Sequence, residues 1–286
     1  MLPRIRGDSM MQLPYKTALL RMSRADLGKN VLIVCGEDPP KVRRCLKSLG
    51  FELSSLAHCR ESHTYRLKKG RRSFTLVISG YGSASVACVV YELEELGAEN
   101  LILAGTCGAS SHFRLSEPLV LLRARINPLG GSGAVGFYTH DPMDWEFFPS
   151  LKLSRLARRL KLKRSDISHI ISSDTFYGFS CVLDGEGRPA YRGPPVEDRF
   201  PAGYEKFTRL YRSKKPYLLD MEVGFFYALC GIWKKLNGLA IKAPSNYVPW
   251  ENGRPPIREE AKALLAALRV ATDVILALET NGSRPS

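Results

Sequence analysis

The sequence has no apolar run long enough to cross a membrane, no C-x-x-C pair, no H-x-x-x-H pair and no internal repeat. A membrane-spanning helix needs about 20 apolar residues, and runs such as Val31–Cys35 and Leu119–Leu122 are short and strand-like. A soluble protein with no membrane partner is expected. The seven cysteines are odd in number and lie largely within apolar runs, which suits reduced thiols and a cytoplasmic location rather than a disulfide framework. None of the five histidines sits beside a cysteine at zinc-ligand spacing, so no metal is expected. Acidic residues are also scarce, 28 against 42 basic ones, for a net charge of +14. The basic clusters, Lys41–Arg44, Arg66–Arg72, Arg155–Arg164 and Arg212–Lys215, are dispersed and not interleaved with aromatics. They lack the character of a base-stacking surface and read as solvated faces, so nucleic acid is not an expected partner.

What is present is material for one α/β domain: 286 residues, 44% of them hydrophobic, can bury a large core. Val31–Cys35, Thr75–Ser79 and Leu101–Ala104 are short β-rich runs that each lead into glycine. Between the last two, Ser85–Leu96 carries Val86, Val89, Val90, Leu93 and Leu96 at helical spacing, with Gly97 as its stop. Together they predict a βαβ unit. Further strands are expected over Pro118–Ile126, Ile167–Ser172 and Gly238–Ala243, and helices over Leu151–Leu162, Asp220–Leu236 and Ile257–Glu279. The charged Gly/Pro-rich stretch Asp184–Gly203 reads as a loop or flap. Residues 1–16 read as a disordered extension, 17–280 as the domain and 281–286 as a flexible tail.

Three glycine-containing turns follow predicted strands: Gly36–Arg44 (GEDPPKVRR), Gly80–Ser85 (GYGSAS) and Gly105–Ala109 (GTCGA). Ligands of open α/β sheets bind along such an edge, and backbone amides there favour an anion. Any one of these segments alone would be an ordinary turn. Thr106 offers a hydroxyl to a phosphate or sugar oxygen. The segment Ser172–Gly178 (SSDTFYG) ends a strand with hydroxyls, a carboxylate and aromatics, either core or a stacking surface. Asp220–Met221–Glu222 opens a predicted helix, where carboxylates either cap or hold the two hydroxyls of a ribose.

In order, the segments TALLRMSRADLGKNVLIVCGEDPPKV, AHCRESHTYR, ISGYGSASVACVVYELEELGAENLILAGTCGA, ISSDTFYG and DMEVGFFYALC resemble the successive motifs of the nucleoside phosphorylase superfamily, and within it those of the uridine phosphorylases. The resemblance implies a three-layer α/β/α fold around a central twisted, partly barrel-like mixed sheet. It implies a pentosyltransferase that attacks the anomeric carbon of a pyrimidine, uridine-like nucleoside with inorganic phosphate as co-substrate and no other cofactor. It also implies a homo-oligomer, dimer or hexamer, with shared active sites. Carried over, Gly36, Lys41 and Thr106 bind phosphate, joined by Arg60 from an adjacent subunit. Glu222, Met221 and Phe176 hold the ribose, while Gly108, Phe176 and Asn246 meet the base, and Thr106, Arg60 and Glu222 form the catalytic set.

The pattern also departs from the family. Lys41 and Leu103 stand where phosphate-binding arginines are expected, and Leu103 offers neither charge nor hydrogen bond. Ser180 and Val182 replace the pair that reads uracil, and Tyr247 replaces an arginine. Arg43, Arg44, Arg123 and Arg125 are candidate substitutes for the missing cation. Two alternatives follow: a nucleosidase that uses water in the same fold, or a nucleoside-binding protein without turnover.

Overall fold

The structure, a computed structural model, describes residues 17–126, 146–162, 164–165, 170–173, 182–183, 189–190, 213–232, 236–248 and 257–281. The expected extension over 1–16 and the residues after 281 lie outside them, as does most of the stretch read as a flap.

Strand β1 (Asn30–Cys35) is buried at every position, as suits a run of apolar residues covered on both faces of a parallel sheet. Helix α1 (Pro39–Ser48) follows, its first turn set by prolines and capped by the Asp38 side chain, which accepts a hydrogen bond from the Lys41 amide. Strands β2 (Glu52–Cys59) and β3 (Ser62–Lys69) form an antiparallel hairpin that was not among the expected elements. Its outward residues are polar and charged, so neither strand presents a continuous apolar run. Then come β4 (Arg72–Ser79), α2 (Gly82–Leu96) and β5 (Asn100–Ala109), the expected βαβ unit. The chain continues through β6 (Leu119–Leu121), β7 (Ala124–Ile126), β8 (Glu146–Phe147), α3 (Leu151–Arg159), β9 (Arg164–Ser165), β10 (Ile170–Ser172), β11 (Val182–Leu183) and β12 (Pro189–Ala190). It ends with β13 (Leu218–Asp220), α4 (Val223–Ile232), β14 (Asn237–Tyr247) and α5 (Ile257–Asn281).

A mixed sheet runs β2-β3-β4-β1-β5-β13-β10-β7-β8, with β14 joining β5 to β6 and β6 joining β9. One face carries α2 and α4, which bury Val86, Val89, Val90, Leu93 and most of Val223–Cys230 against Val31, Ile33, Leu101 and Leu103. The other carries α1, α3 and α5, whose Val42, Leu46, Leu153, Leu156, Leu264 and Leu268 pack on Leu32, Val34, Ile102 and Ala104. This is the three-layer α/β/α arrangement expected. The single strand expected over Pro118–Ile126 is two, because β6 pairs with β14 whereas β7 pairs with β10, and Leu122–Arg123 makes the crossing between them. Tyr227 locks that junction: its hydroxyl donates to the Leu121 carbonyl at 2.5 Å and accepts from the Ala240 amide at 2.9 Å.

The sheet divides along β5. One edge pairs with β14 along its whole length. The other pairs with β1 only as far as Ala104, opposite Val34, and with β13 only from Gly108, opposite Leu219. GTCGA is therefore not a turn after a strand but the second half of a long one. Between its two partners, Gly105, Thr106 and Cys107 have no strand neighbour on that edge among the described residues.

Candidate active site

The gap along β5 gathers the end of β1, the start of α2, the end of β13 and the middle of β14. Gly36 follows β1 with φ +73, a left-handed conformation that glycine tolerates, and a Cβ there would lie 2.8 Å from Cδ1 of Tyr81. Its amide is already donated to the Ser79 and Gly80 carbonyls, both at 3.1 Å. The amide that sequence reasoning assigned to phosphate is thus used within the turn.

The next residue reaches the gap instead. Glu37 is buried, and its Oε1 accepts both the Thr106 amide and the Thr106 hydroxyl, each at 2.8 Å. The amide is the donor that the division of the sheet leaves without a strand partner, and a buried N–H needs an acceptor. Burial pushes the Glu37 carboxyl above its ordinary range, opposed by the two Thr106 bonds and by nearby Lys242.

Lys242 lies mid-strand in β14, opposite Gly105, and is only 2% exposed. Its Nζ is 3.1 Å from Oε2 of Glu222 and 3.4 Å from Oδ2 of Asp220, themselves each 4% exposed. A Cβ placed on Gly105 would be 3.3 Å from Glu37 Oε1 and 3.5 Å from Lys242 Nζ, so both groups converge on that glycine. Burial alone would lower the lysine, but Glu222 and Asp220 outweigh it and hold it protonated. Glu222 is pushed upward by burial, with Lys242 opposing. Its Oε1 also accepts the Gly82 amide at 3.1 Å, at the start of α2, where the helix favours negative charge. Asp220 ends β13 rather than opening a helix. One of its oxygens accepts the Val223 amide at 2.9 Å, the capping role considered for it, and the other accepts the Ser172 hydroxyl at 2.5 Å. Ser172 in turn accepts the Gly224 amide at 2.7 Å, tying β10 to α4.

The remaining candidates are distributed around this cluster. Met221 is half-buried beside Glu222. Gly108 and Asn246 are register partners across β5 and β14, and Asn246 is buried, its Oδ1 accepting the Ser245 hydroxyl at 2.9 Å. Lys41 does not point into the gap but pairs with Glu260 of α5 at 3.0 Å. Arg60 is exposed at the β2–β3 turn, with φ 52. Leu103 is fully buried in the core facing α2 and α4. Arg125 and Arg123 are paired with Glu146, while Arg43 and Arg44 are exposed on α1. Phe176 and Ser180 lie outside the described residues.

Sequence reasoning missed Glu37 and Lys242. A lysine within the apolar run Gly238–Ala243 was the legible signal for the second, since a charge at such a position needs buried partners. Burial pushes the thiols of the two cysteines beside the gap, Cys35 and Cys107, upward, Cys35 to about 12, which keeps both in the protonated form at neutral pH. Among the described residues no cluster of histidine, cysteine and acidic side chains could hold a metal ion, and no helix is long and apolar enough to cross a membrane.

The sequence model of the phosphorylase superfamily matches residues 31–278. A uridine phosphorylase of Thermococcus kodakarensis is 25% identical over 236 residues, 82% of this chain and 80% of that protein. The crystal structure of uridine phosphorylase from Vibrio fischeri ES114 superposes with a TM-score of 0.65 at 20% identity, covering 92% of this chain and 97% of that one. A second structure of that enzyme, complexed with 6-hydroxy-1-naphthoic acid, gives 0.64 at 21% identity, covering 94% and 97%.

Proposed function

The chain belongs to the phosphorylase superfamily, and from that premise we propose that it cleaves the N-glycosidic bond of a nucleoside. The observation that carries the reading is the buried pair of carboxylates, Glu222 and Asp220, held by Lys242 at the gap in β5, with the buried Glu37 facing the same glycine, Gly105. Loss of the base leaves positive charge on the sugar, and fixed negative groups stabilise such a charge as it develops. Glu222 is the ribose ligand. A carboxylate has about four lone-pair sites, and Gly82 and Lys242 occupy two, which leaves acceptors for a pair of vicinal hydroxyls. Met221 packs against the sugar, with Phe176 assigned there by resemblance. Gly108 and Asn246, register partners across β5 and β14, are assigned to the base by resemblance. Asn246 and the name of the Thermococcus relative make pyrimidine nucleosides, uridine first, the substrates to try. In the phosphate-dependent form the enzyme is a pentosyltransferase that yields ribose 1-phosphate. Arg60, exposed at its turn, is the residue to serve a neighbouring subunit of a homo-oligomer.

The test is a panel of purine and pyrimidine nucleosides incubated with the full chain, with and without phosphate, following free base by chromatography. Base release in either arm is expected; none from any nucleoside in both arms overturns the reading.

A further inference from the structure

Glu37 and Thr106 together raise a question the family reaction does not answer: where a phosphate would sit. An oxyanion entering the gap in β5 would take the Thr106 amide and hydroxyl, the donors freed where the sheet divides. Both are already held at 2.8 Å by one oxygen of the same chain. Two of the other expected ligands are also committed, the Gly36 amide to Ser79 and Gly80 and Lys41 to Glu260; Leu103, standing where the family has an arginine, is in the core, and Arg60 is exposed at the β2–β3 turn. Among the described residues no cation lies within ion-pair distance of Glu37, and Lys242, close by, already serves Glu222 and Asp220. A phosphate dianion would therefore have to displace a carboxylate and enter a site where acidic side chains outnumber basic ones.

We infer that Glu37 is a built-in occupant of the anion seat, which excludes phosphate and makes water the acceptor for the sugar. The inference rests on the glycosidic-cleavage reading for its chemistry but not for its binding claim. In the reaction, the oxygen of water bonds to the anomeric carbon as the carbon–nitrogen bond breaks. One proton of that water stays on the new sugar hydroxyl and the other ends on the departing base, so that nucleoside and water give ribose and base. Glu37 acts here as a specificity-determining residue: its carboxylate supplies the acceptor for an otherwise orphaned amide while repelling a competing anion.

Phosphate binding to the full chain is measured directly by calorimetry at neutral pH, and by thermal melts in sodium phosphate against sodium chloride of equal ionic strength. A ligand that binds only the folded state stabilises it by RT ln(1 + L/Kd) at free ligand concentration L, and so raises the melting temperature as its concentration passes Kd. The wild-type protein is expected to show no heat and no phosphate-specific shift at millimolar phosphate, and any base release is expected to be independent of phosphate. Glu37→Ala empties the seat and should bind phosphate at least about 100-fold more tightly, a difference of about 2.8 kcal/mol. Wild-type binding of phosphate at millimolar concentration overturns the inference, as does a folded Glu37→Ala protein that binds phosphate no better. The wild-type titration stands even if that variant does not fold. Absence of turnover with every nucleoside, beside absence of phosphate binding, would defeat the glycosidic reading and leave the occupied seat standing.

Discussion

Replacing Lys242 with methionine removes the positive charge at the centre of the site while keeping most of its volume. In the wild type that charge lies 3.1 Å from Glu222 and 3.4 Å from Asp220, all but sealed from water. Without it, Asp220 keeps Ser172 and the Val223 amide, and Glu222 keeps only the Gly82 amide, so two buried carboxylates face each other uncompensated. Removing one partner of a buried ion pair typically costs about 3–5 kcal/mol. For a chain somewhat larger than 250 residues this lowers the melting temperature by on the order of 10 °C. The loss has a pH signature. With the lysine gone, nothing from it opposes the burial that pushes the Glu222 carboxyl upward, so Glu222 binds its proton more tightly in the folded than in the unfolded chain, and stability falls as pH rises through that window. Melts of Lys242→Met should therefore show a deficit that is largest at neutral pH and shrinks toward pH 5. The double variant Lys242→Met/Glu222→Gln should recover part of it, since neutralising one carboxylate relieves the repulsion. A single variant within about 2 °C of wild type, or a deficit that does not change with pH, would refute the claim that the cluster depends on this lysine.

The same site and its frame give further expectations. Glu37 is held above its ordinary value of 4.5 mainly by burial, so its burial costs stability that is fully felt above the raised value and is gone only once pH falls to about 4.5. Glu37→Gln should therefore melt higher than wild type at pH 8, with the advantage vanishing as pH falls toward 4.5, and parallel melting curves would contradict it. Gly36→Ala forces a Cβ into a left-handed backbone and to within 2.8 Å of Tyr81, a cost of about 1–2 kcal/mol before the clash, measurable by denaturant titration. Tyr227→Phe removes the hydroxyl that joins Leu121 to Ala240 and should lose about 1–3 kcal/mol in the same titration. If the nucleoside panel yields a substrate, Glu222→Gln should lower kcat by about 100-fold or more; an effect confined to KM would reduce Glu222 to a ground-state contact.

The central frame was readable because burial and periodicity agree there. Val31–Cys35 is a continuous apolar run, Thr75–Ser79 a β-rich one buried throughout, and Val86, Val89, Val90 and Leu93 keep helical spacing, so local preference and tertiary burial point the same way. The β2–β3 hairpin was not readable, since its outer face is exposed and its alternation is broken by the register shift between Ser55 and Ala57. Pro118–Ile126 carried one apolar run that tertiary pairing divides between two strand partners, a decision that no local pattern contains. Thr106, Glu222 and Asn246 were found from motif order, and the structure brings them to one region. Lys41 and Gly36 were found in the same way, yet their donors are used elsewhere.

What separates the legible candidates from the illegible ones is the kind of information each role needs. That Glu222 sits beside the gap follows from β13 ending where α4 begins, a short-range arrangement that the DME segment announces. That Thr106 is a donor in need of an acceptor follows from a long-range fact, the parting of β1 and β13 along β5. A glycine-rich turn in a sequence shows where an anion could approach a backbone, but not whether the chain already supplies one. Glu37 follows that glycine directly and is the residue whose carboxylate fills the space. Its neighbour Asp38, equally acidic, instead turns outward to cap α1. Adjacent carboxylates thus have opposite roles because the turn at Gly36 directs one toward the gap and the other toward a helix. A substitution at Glu37 is consequently expected to change which anions the site tolerates, whereas one at Asp38 is expected to change only the start of α1.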